Sequence, residues 1–401
     1  MMKNSVYIIV FLLSFLPARA QLNCTFTHYS QENGLSENSV MDMVQDHDGM
    51  LWFATWDGIS RFDGYDFKVY KARKDNAMEW TSNRIDRLCV DVHGDVWCMA
   101  YDGHVFRFDK RMETFTEVLV SGPGKDLIVT SMVPLSNGSI WLLTDDNGGI
   151  RISSGKHAGE TDPEIWLSTA ANGKATRIYT AFLDSKGNEW ILTENGLQRI
   201  GPDGKQNAYF VDTRNNHSQQ SFFAVAQHEQ TLYFTSEQGR VWKYSLKDDM
   251  FTLAELPYQD DITHVLTLPD GRLVLTARRK GVLITDSLLN PVRFYGTAEG
   301  FDFNKYPIRN AYADRHGEIW IAVDRIGYIC RINSQTGKFH VEQMNVEQDA
   351  ADRSTPVFSI CEDKRGNLWV HPVGGGLAWF CLLYTSPRPR DISGYRMPSS
   401  A

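Results

Sequence analysis

The chain has 401 residues and a net charge of −8, with 41 Lys and Arg interspersed among 49 Asp and Glu. Without a basic surplus or basic runs it is not a general binder of nucleic acid or of an anionic membrane surface, both of which demand clustered positive charge. Aromatic residues at 12% and 31 glycines suit many short strands separated by tight turns.

In chain order the first element is an export signal over residues 1–20. Lys3 supplies the positive flank, Val6 to Leu16 the apolar core, and Ala18-Arg19-Ala20 the small-x-small site before Gln21. The apolar run is too short for a membrane span, so the mature chain is expected in the periplasm or otherwise outside the cytoplasm; a retained anchor is the alternative. Residues 21–30, with Phe26, His28 and Tyr29, read as a lone strand of the kind that ends later repeats at Phe67 to Tyr70 and at Phe294 to Tyr295.

From Asp46 onward the sequence repeats. The skeleton is Asp-x-x-Gly-x-apolar-Trp, then a Gly, and its anchors fall at Trp52, Trp97, Trp141, Trp190, Tyr233, Val274, Trp320 and Trp369, 41 to 49 residues apart. A self-similar period of this length marks a propeller or a repeat array. In the first copy four strands read over Ser39 to Gln45, Met50 to Ala54, Ile59 to Phe62 and Asp66 to Tyr70, bounded by Asp and Gly. No stretch after the signal sustains helical apolar spacing. The fold class is therefore all-β, a β-propeller of four-stranded antiparallel blades.

Seven blades over residues 21–345 is the favoured count, with the strand at 21–30 closing the ring, and eight blades is the alternative. On the favoured count, residues 346–380 begin a second propeller whose first blade is incomplete and leaves a sheet edge exposed. Residues 381–401 abandon the pattern. They resemble the translation of a sequencing-library adapter and are read as a non-native, disordered tail on a truncated fragment.

The periodic Trp52, Trp97, Trp141, Trp190, Trp320 and Trp369 are structural, filling the space between blades, while the Asp and Gly before them make the turn. The six cysteines show no CxxC or Cys/His spacing, so neither a metal framework nor a cofactor site is expected. Cys89 reads as a core filler. A turn centred on His93-Gly94 would nevertheless set it opposite Cys98, and an oxidising compartment permits a disulfide there.

Function is sought where copies differ. Loops between second and third strands, and the residues leading into the first strands, should share one face. That face would gather Trp56, Asp57, Trp80, Arg84, Tyr101, Asp145, Arg177, Glu194, Arg278, Arg279, Arg309, Asp324 and Arg325. Flat rings cover the apolar face of a sugar, fixed polar groups meet its hydroxyls, and arginines hold carboxylates or sulfates in bidentate fashion.

The run Asn33-Gly34-Leu35-Ser36-Glu37-Asn38-Ser39-Val40, with Gln45-Asp46, Leu51-Trp52 and Asp57-Gly58-Ile59-Ser60-Arg61-Phe62-Asp63-Gly64, resembles the two-component regulator propeller repeat of Bacteroidetes hybrid sensors. The resemblance covers roughly residues 26–380. It implies a periplasmic sensor of polysaccharide breakdown products, whose parent adds a second propeller, an immunoglobulin-like domain, a membrane helix, a histidine kinase, a receiver and a DNA-binding domain. On that reading the partners are an oligosaccharide and the missing downstream modules, the membrane is met only through the missing C-terminal region, and this fragment has no catalysis and touches no nucleic acid. A secreted propeller lyase or glycosidase, using carboxylates such as Asp57, Asp102, Glu194 and Asp324, is one alternative. A protein-binding scaffold or homodimerisation module is the other.

Overall fold

Each Asp-x-x-Gly segment folds as a tight turn because one carboxylate satisfies it. In the first copy Asp46 Oδ1 accepts the backbone N–H groups of Asp48 and Met50, both at 2.9 Å, while Oδ2 accepts the indole N–H of Trp52 at 2.8 Å. The same arrangement recurs at Asp91 with Trp97, Asp184 with Trp190, Asp314 with Trp320 and Asp363 with Trp369. The repeat's aspartate thus ties turn geometry to the buried indole, a role beyond turn-making.

A computed structural model describes residues 23–72, 82–118, 121–122, 125–126, 128–144, 148–153, 164–166, 176–210, 220–256, 260–296, 301–324, 328–343, 359–371 and 376–383. The expected export signal over residues 1–20 and residues 384–401 lie outside them. Eight four-stranded antiparallel sheets are formed among the described residues. Blade 1 takes Val40–Gln45, Leu51–Thr55, Gly58–Phe62 and Phe67–Tyr70, from the axis outward. The first strands of blades 2 to 7 are Ile85–Val90, Val129–Pro134, Ile178–Leu183, Phe222–His228, Ile262–Thr267 and Ile308–Ala313.

Blade 8 joins the two ends of the chain. Ile360–Glu362, Leu368–Val370 and Leu377–Leu383 supply three strands, and Asn23–Tyr29 adds the fourth, pairing antiparallel from Tyr29 opposite Leu377 to Asn23 opposite Leu383. The N-terminal strand closes the ring as expected, but against the eighth copy, so the count is eight and not seven. Residues 360–383 are therefore part of the same ring rather than the start of a second propeller, and their edge is covered. The strand also runs three residues past Phe380, where the repeat pattern had been read as ending.

The physical reason for eight lies in the junctions. Eight apolar clusters are formed, each shared by two neighbouring blades. Each anchor points into the junction with the following blade: Trp52 towards blade 2, Trp97 towards blade 3, and so on, with Tyr233 and Val274 doing the same in the weaker copies. Trp320 is fully buried against Leu368, Val370, Ala378 and Phe380 of blade 8. Trp369 in turn packs on blade 1, 5.6 Å from Phe53 and 5.7 Å from Phe62. A repeat anchor at every junction, an indole at six of the eight, buries apolar area that no isolated blade could cover.

Copy 3 breaks the rule and repairs it. Leu135 stands where the other Trp-bearing copies carry Asp, and the Trp141 indole instead donates to Glu189 of blade 4 at 2.9 Å. Glu189 also accepts from Asn137 at 2.7 Å, Ser139 at 3.0 Å and Arg151 at 2.7 Å. Burial pushes this carboxyl up, yet the bonds from Arg151, Trp141 and Asn137 outweigh it and hold it below the usual carboxylate range.

Arginine forms a second regularity that the Trp pattern hid. Arg61, Arg107, Arg199 and Arg331 each lie directly across the ladder from a repeat Trp, with the guanidinium 5.5 to 5.8 Å from the ring. Their positions, nine to eleven residues after each Trp, were available in the sequence.

The proposed Cys89–Cys98 bridge is not formed. Cys89 pairs with Trp97 and Cys98 with Leu88, and both thiols are free and buried. Gly94 at φ +81° adds a residue to the turn, shifting the register by one. The two thiols then point to opposite faces of the sheet, Cys89 into the junction with blade 3 and Cys98 into that with blade 1.

Two outcomes test this account. Glu189→Gln should lower unfolding free energy in urea by about 2 kcal/mol, because it weakens the acceptor of a buried indole and a guanidinium at once; an unchanged midpoint would refute the substitution role. Removal of residues 23–29 should turn a single cooperative unfolding transition into a broad one and drive association through the freed edge of Leu377–Leu383, read by size-exclusion chromatography.

Candidate ligand-binding face

Backbone hydrogen bonds show that the loops expected on one face do share it. Trp56 N donates to Ser39 O at 3.2 Å, Tyr101 N to Arg84 O at 2.9 Å, Glu194 N to Arg177 O at 3.1 Å and Asp324 N to Pro307 O at 2.9 Å. Each bond joins a second-to-third loop to the residues leading into its own inner strand. Others cross to the next blade: Gly58 N donates to Asn83 O and Gly376 N to Asn38 O, both at 2.7 Å, and Ile308 N to Arg278 O at 2.8 Å. Gly58 needs to be glycine, since at φ +105° a Cβ would sit 2.4 Å from Tyr70 O.

Three groups of the expected side chains come together on this face. At the junction of blades 1 and 2 the Arg84 guanidinium lies 4.0 Å from the Tyr101 ring centroid and 5.2 Å from that of Trp56. Arg84 Nε donates to Asp86 at 3.0 Å, and Trp56 donates its indole N–H to Met41 Sδ at 3.0 Å. Tyr101 is 61% exposed, so one ring face remains open. In blade 4 Arg177 N donates to Glu194 Oε1 at 3.2 Å, and its guanidinium stands 5.5 Å from the Tyr179 ring. In blade 7 Arg309 pairs with Asp324. Arg278, Arg279 and the adjacent Lys280 project exposed from blade 6, one residue-pair away from Ile308 and Arg309.

Asp57 has another task. It pairs with Lys71 and accepts from Asn83 Nδ2 at 3.2 Å, while Asn83 Oδ1 accepts Ala72 N at 2.7 Å. This network fastens the connection between blades 1 and 2. Trp80, Asp145 and Arg325 lie outside the described residues. Among the described residues no group of three or more His, Cys, Asp or Glu is placed to hold a metal ion.

The sequence reading missed a feature of the backbone. Each of the first seven inner strands carries a register shift near its start, which leaves one unpaired residue per blade: Met41, Asp86, Thr130, Tyr179, Phe223, Thr263 and Arg309. Bulges re-aim side chains, and here they do so at the loop-face end of the axis. Of the expected site residues only Arg309 is among them. Their chemistry varies from blade to blade over a constant backbone, and no local sequence signal marks a bulge of this kind.

The profile of the two component regulator propeller matches residues 34–57 and 352–372, in the first and eighth copies. Those two copies match the two-component regulator propeller repeat. Histidine kinase P4 of Formosa agariphila is 40% identical over 73 residues, which are 18% of this chain and 5% of that protein, so the chain spans a small part of this curated relative. Among solved structures, the Dos1 propeller is similar with a TM-score of 0.65 at 11% identity, over 90% of this chain and 96% of that one. BamB from Moraxella catarrhalis gives 0.60 at 11%, over 90% and 99%. An extracellular domain assigned to a one component system of B. thetaiotaomicron gives 0.51 at 15%, over 87% of this chain and 51% of that one. At these identities the structural likenesses establish the propeller fold of the repeat.

Two histidines near this end of the ring carry a pH prediction. His264, bonded through Nδ1 to Thr276 Oγ1 at 2.9 Å, and His371, with Nδ1 at 2.7 Å from Gly376 O, are both driven down to about 4 by burial, with the Gly376 carbonyl opposing the shift at His371. In the unfolded chain each titrates near 6.5. Below that pH the unfolded state takes up protons that the folded state refuses, so stability present above about 6.5 is lost as pH falls towards 4. A melting-temperature series across this window should flatten in His264→Gln; an identical slope would show that other groups govern it.

Proposed function

We propose that this propeller is the extracytoplasmic ligand-sensing part of a two-component signalling receptor, and that its loop face takes oligosaccharides released from complex polysaccharides. The observation that carries the reading is the Arg84 guanidinium held between Trp56 and the open ring of Tyr101. Sugar recognition asks for such a group: a flat ring against the apolar face of a pyranose beside a fixed multiple donor for its hydroxyls or carboxylate. With Nε committed to Asp86, the terminal nitrogens of Arg84 remain for a ligand.

The regulator propeller repeats support the receptor context, and the sequence pattern of residues 1–20, read as an export signal, favours a site outside the cytoplasm. In the whole receptor, binding would be passed through a second propeller to a membrane-anchored histidine kinase, with a homodimer as the arrangement that couples two kinases. Exposed Arg278, Arg279 and Lys280, with no described carboxylate paired to them, favour ligands bearing acidic groups.

Calorimetric titration with neutral and acidic oligosaccharides tests the reading. Arg84→Ala should weaken binding about tenfold with the melting temperature unchanged. Arg278→Ala combined with Arg279→Ala should weaken acidic ligands selectively. Unchanged dissociation constants in both variants would exclude this face.

A further inference from the structure

Two of the bulge residues stand apart from the other five. Tyr179 of blade 4 and Phe223 of blade 5 occupy equivalent positions in neighbouring inner strands, each released from the ladder by its bulge. Their rings meet edge to face, with centroids 5.2 Å apart and planes at 71°. Of the other five, Asp86, Thr130, Thr263 and Arg309 are polar, and Met41 is buried in the core between blades 1 and 2.

This aromatic pair does not serve the core. The junction between blades 4 and 5 is filled by Trp190, Leu192, Phe222, Phe234 and Tyr244, and neither Tyr179 nor Phe223 belongs to any of the eight apolar clusters. Both residues are half-buried at the loop-face end of their inner strands. Polar groups frame them: the Arg177 guanidinium 5.5 Å from the Tyr179 ring, the Glu194 side chain beside Arg177, and Ser221, whose hydroxyl donates to Glu194 O at 3.2 Å. An apolar wall with hydroxyl, guanidinium and carboxylate at its rim repeats the chemistry found around Trp56, Arg84 and Tyr101.

We infer that Tyr179 and Phe223 form a second saccharide station, and that one oligosaccharide lies across the channel mouth with separate pyranose rings on the two stations. The inference rests on the oligosaccharide reading above. The stations belong to the blade 1–2 and blade 4–5 junctions, three steps apart in a ring of eight. A monosaccharide therefore reaches one of them, whereas a chain long enough to bridge engages the second station at high effective concentration. Chain length then sets affinity, and the receptor discriminates fragments of a polymer from its free monomer.

The test is a glycan array bearing length series of neutral and acidic polysaccharide fragments, followed by calorimetry on the retained series. Wild type should bind longer fragments more tightly up to the bridging length and no further. Tyr179→Ala with Phe223→Ala should bind the shortest fragments as wild type does and lose about tenfold on bridging ones. Phe223→Leu, which keeps apolar volume and removes the ring, should lose affinity in the same selective way and decides the matter if the double variant unfolds. Wild-type affinity for bridging fragments in Phe223→Leu and the double variant, with loss only in Trp56→Ala, would overturn the second station and leave the oligosaccharide reading standing. A wild-type protein that retains nothing on the array overturns both.

Discussion

The carboxylate that accepts the Trp indole N–H is the interaction on which this propeller is built. An indole buried between two sheets has no water to bond to, and an unsatisfied N–H there costs about 1–3 kcal/mol of what the packing gains. Asp46, Asp91, Asp184, Asp314 and Asp363 meet that need while their other oxygen holds the preceding turn. The exceptions follow the same logic. Where Leu135 removes the acid, Glu189 reaches across from the next blade; where Tyr233 replaces Trp, its hydroxyl finds Ser287 O at 2.6 Å; where Val274 replaces it, no polar atom is left to satisfy.

Closure imposes the second constraint. Each blade covers its neighbour's anchor, so the ring is finished only when Trp369 meets blade 1 and Asn23–Tyr29 covers the last sheet. Asp42 acts at this seam. It accepts Leu88 N of blade 2 at 3.0 Å, Met43 N at 2.9 Å and Ser359 Oγ of blade 8 at 3.2 Å, so three blades share one carboxylate. Its burial raises the carboxyl against the pull of those bonds and of Arg87. Closure pairs residues 348 to 360 positions apart, the most non-local contact in the chain and the kind that slows folding.

With scaffold work confined to the turns and junctions, the loop face is free to vary. The constant bulge at the start of the inner strands offers one re-aimed side chain per blade, and the second-to-third loops add another. Several acids that look available in the sequence are occupied: Asp57 by Lys71 and Asn83, Asp324 by Arg309, and Glu194 by the Arg177 backbone. What remains open on this face is mainly aromatic and cationic, notably Tyr101, Arg84, Tyr179, Phe223, Arg278 and Arg279.

The sequence alone determined the blade. Period, Asp-x-x-Gly turns and the Trp anchor are local chemistry, repeated often enough to be read without tertiary information, and they also located the loop face. It did not determine the number of blades, because strand Asn23–Tyr29 joins either a seventh or an eighth blade equally well until the junctions are packed. The register at Cys89, the rescue of Trp141 by Glu189 and the engagement of Asp57 were likewise decided in three dimensions. Each depends on a partner from another strand or blade, or on a one-residue bulge, and none of these leaves a periodic mark along the chain.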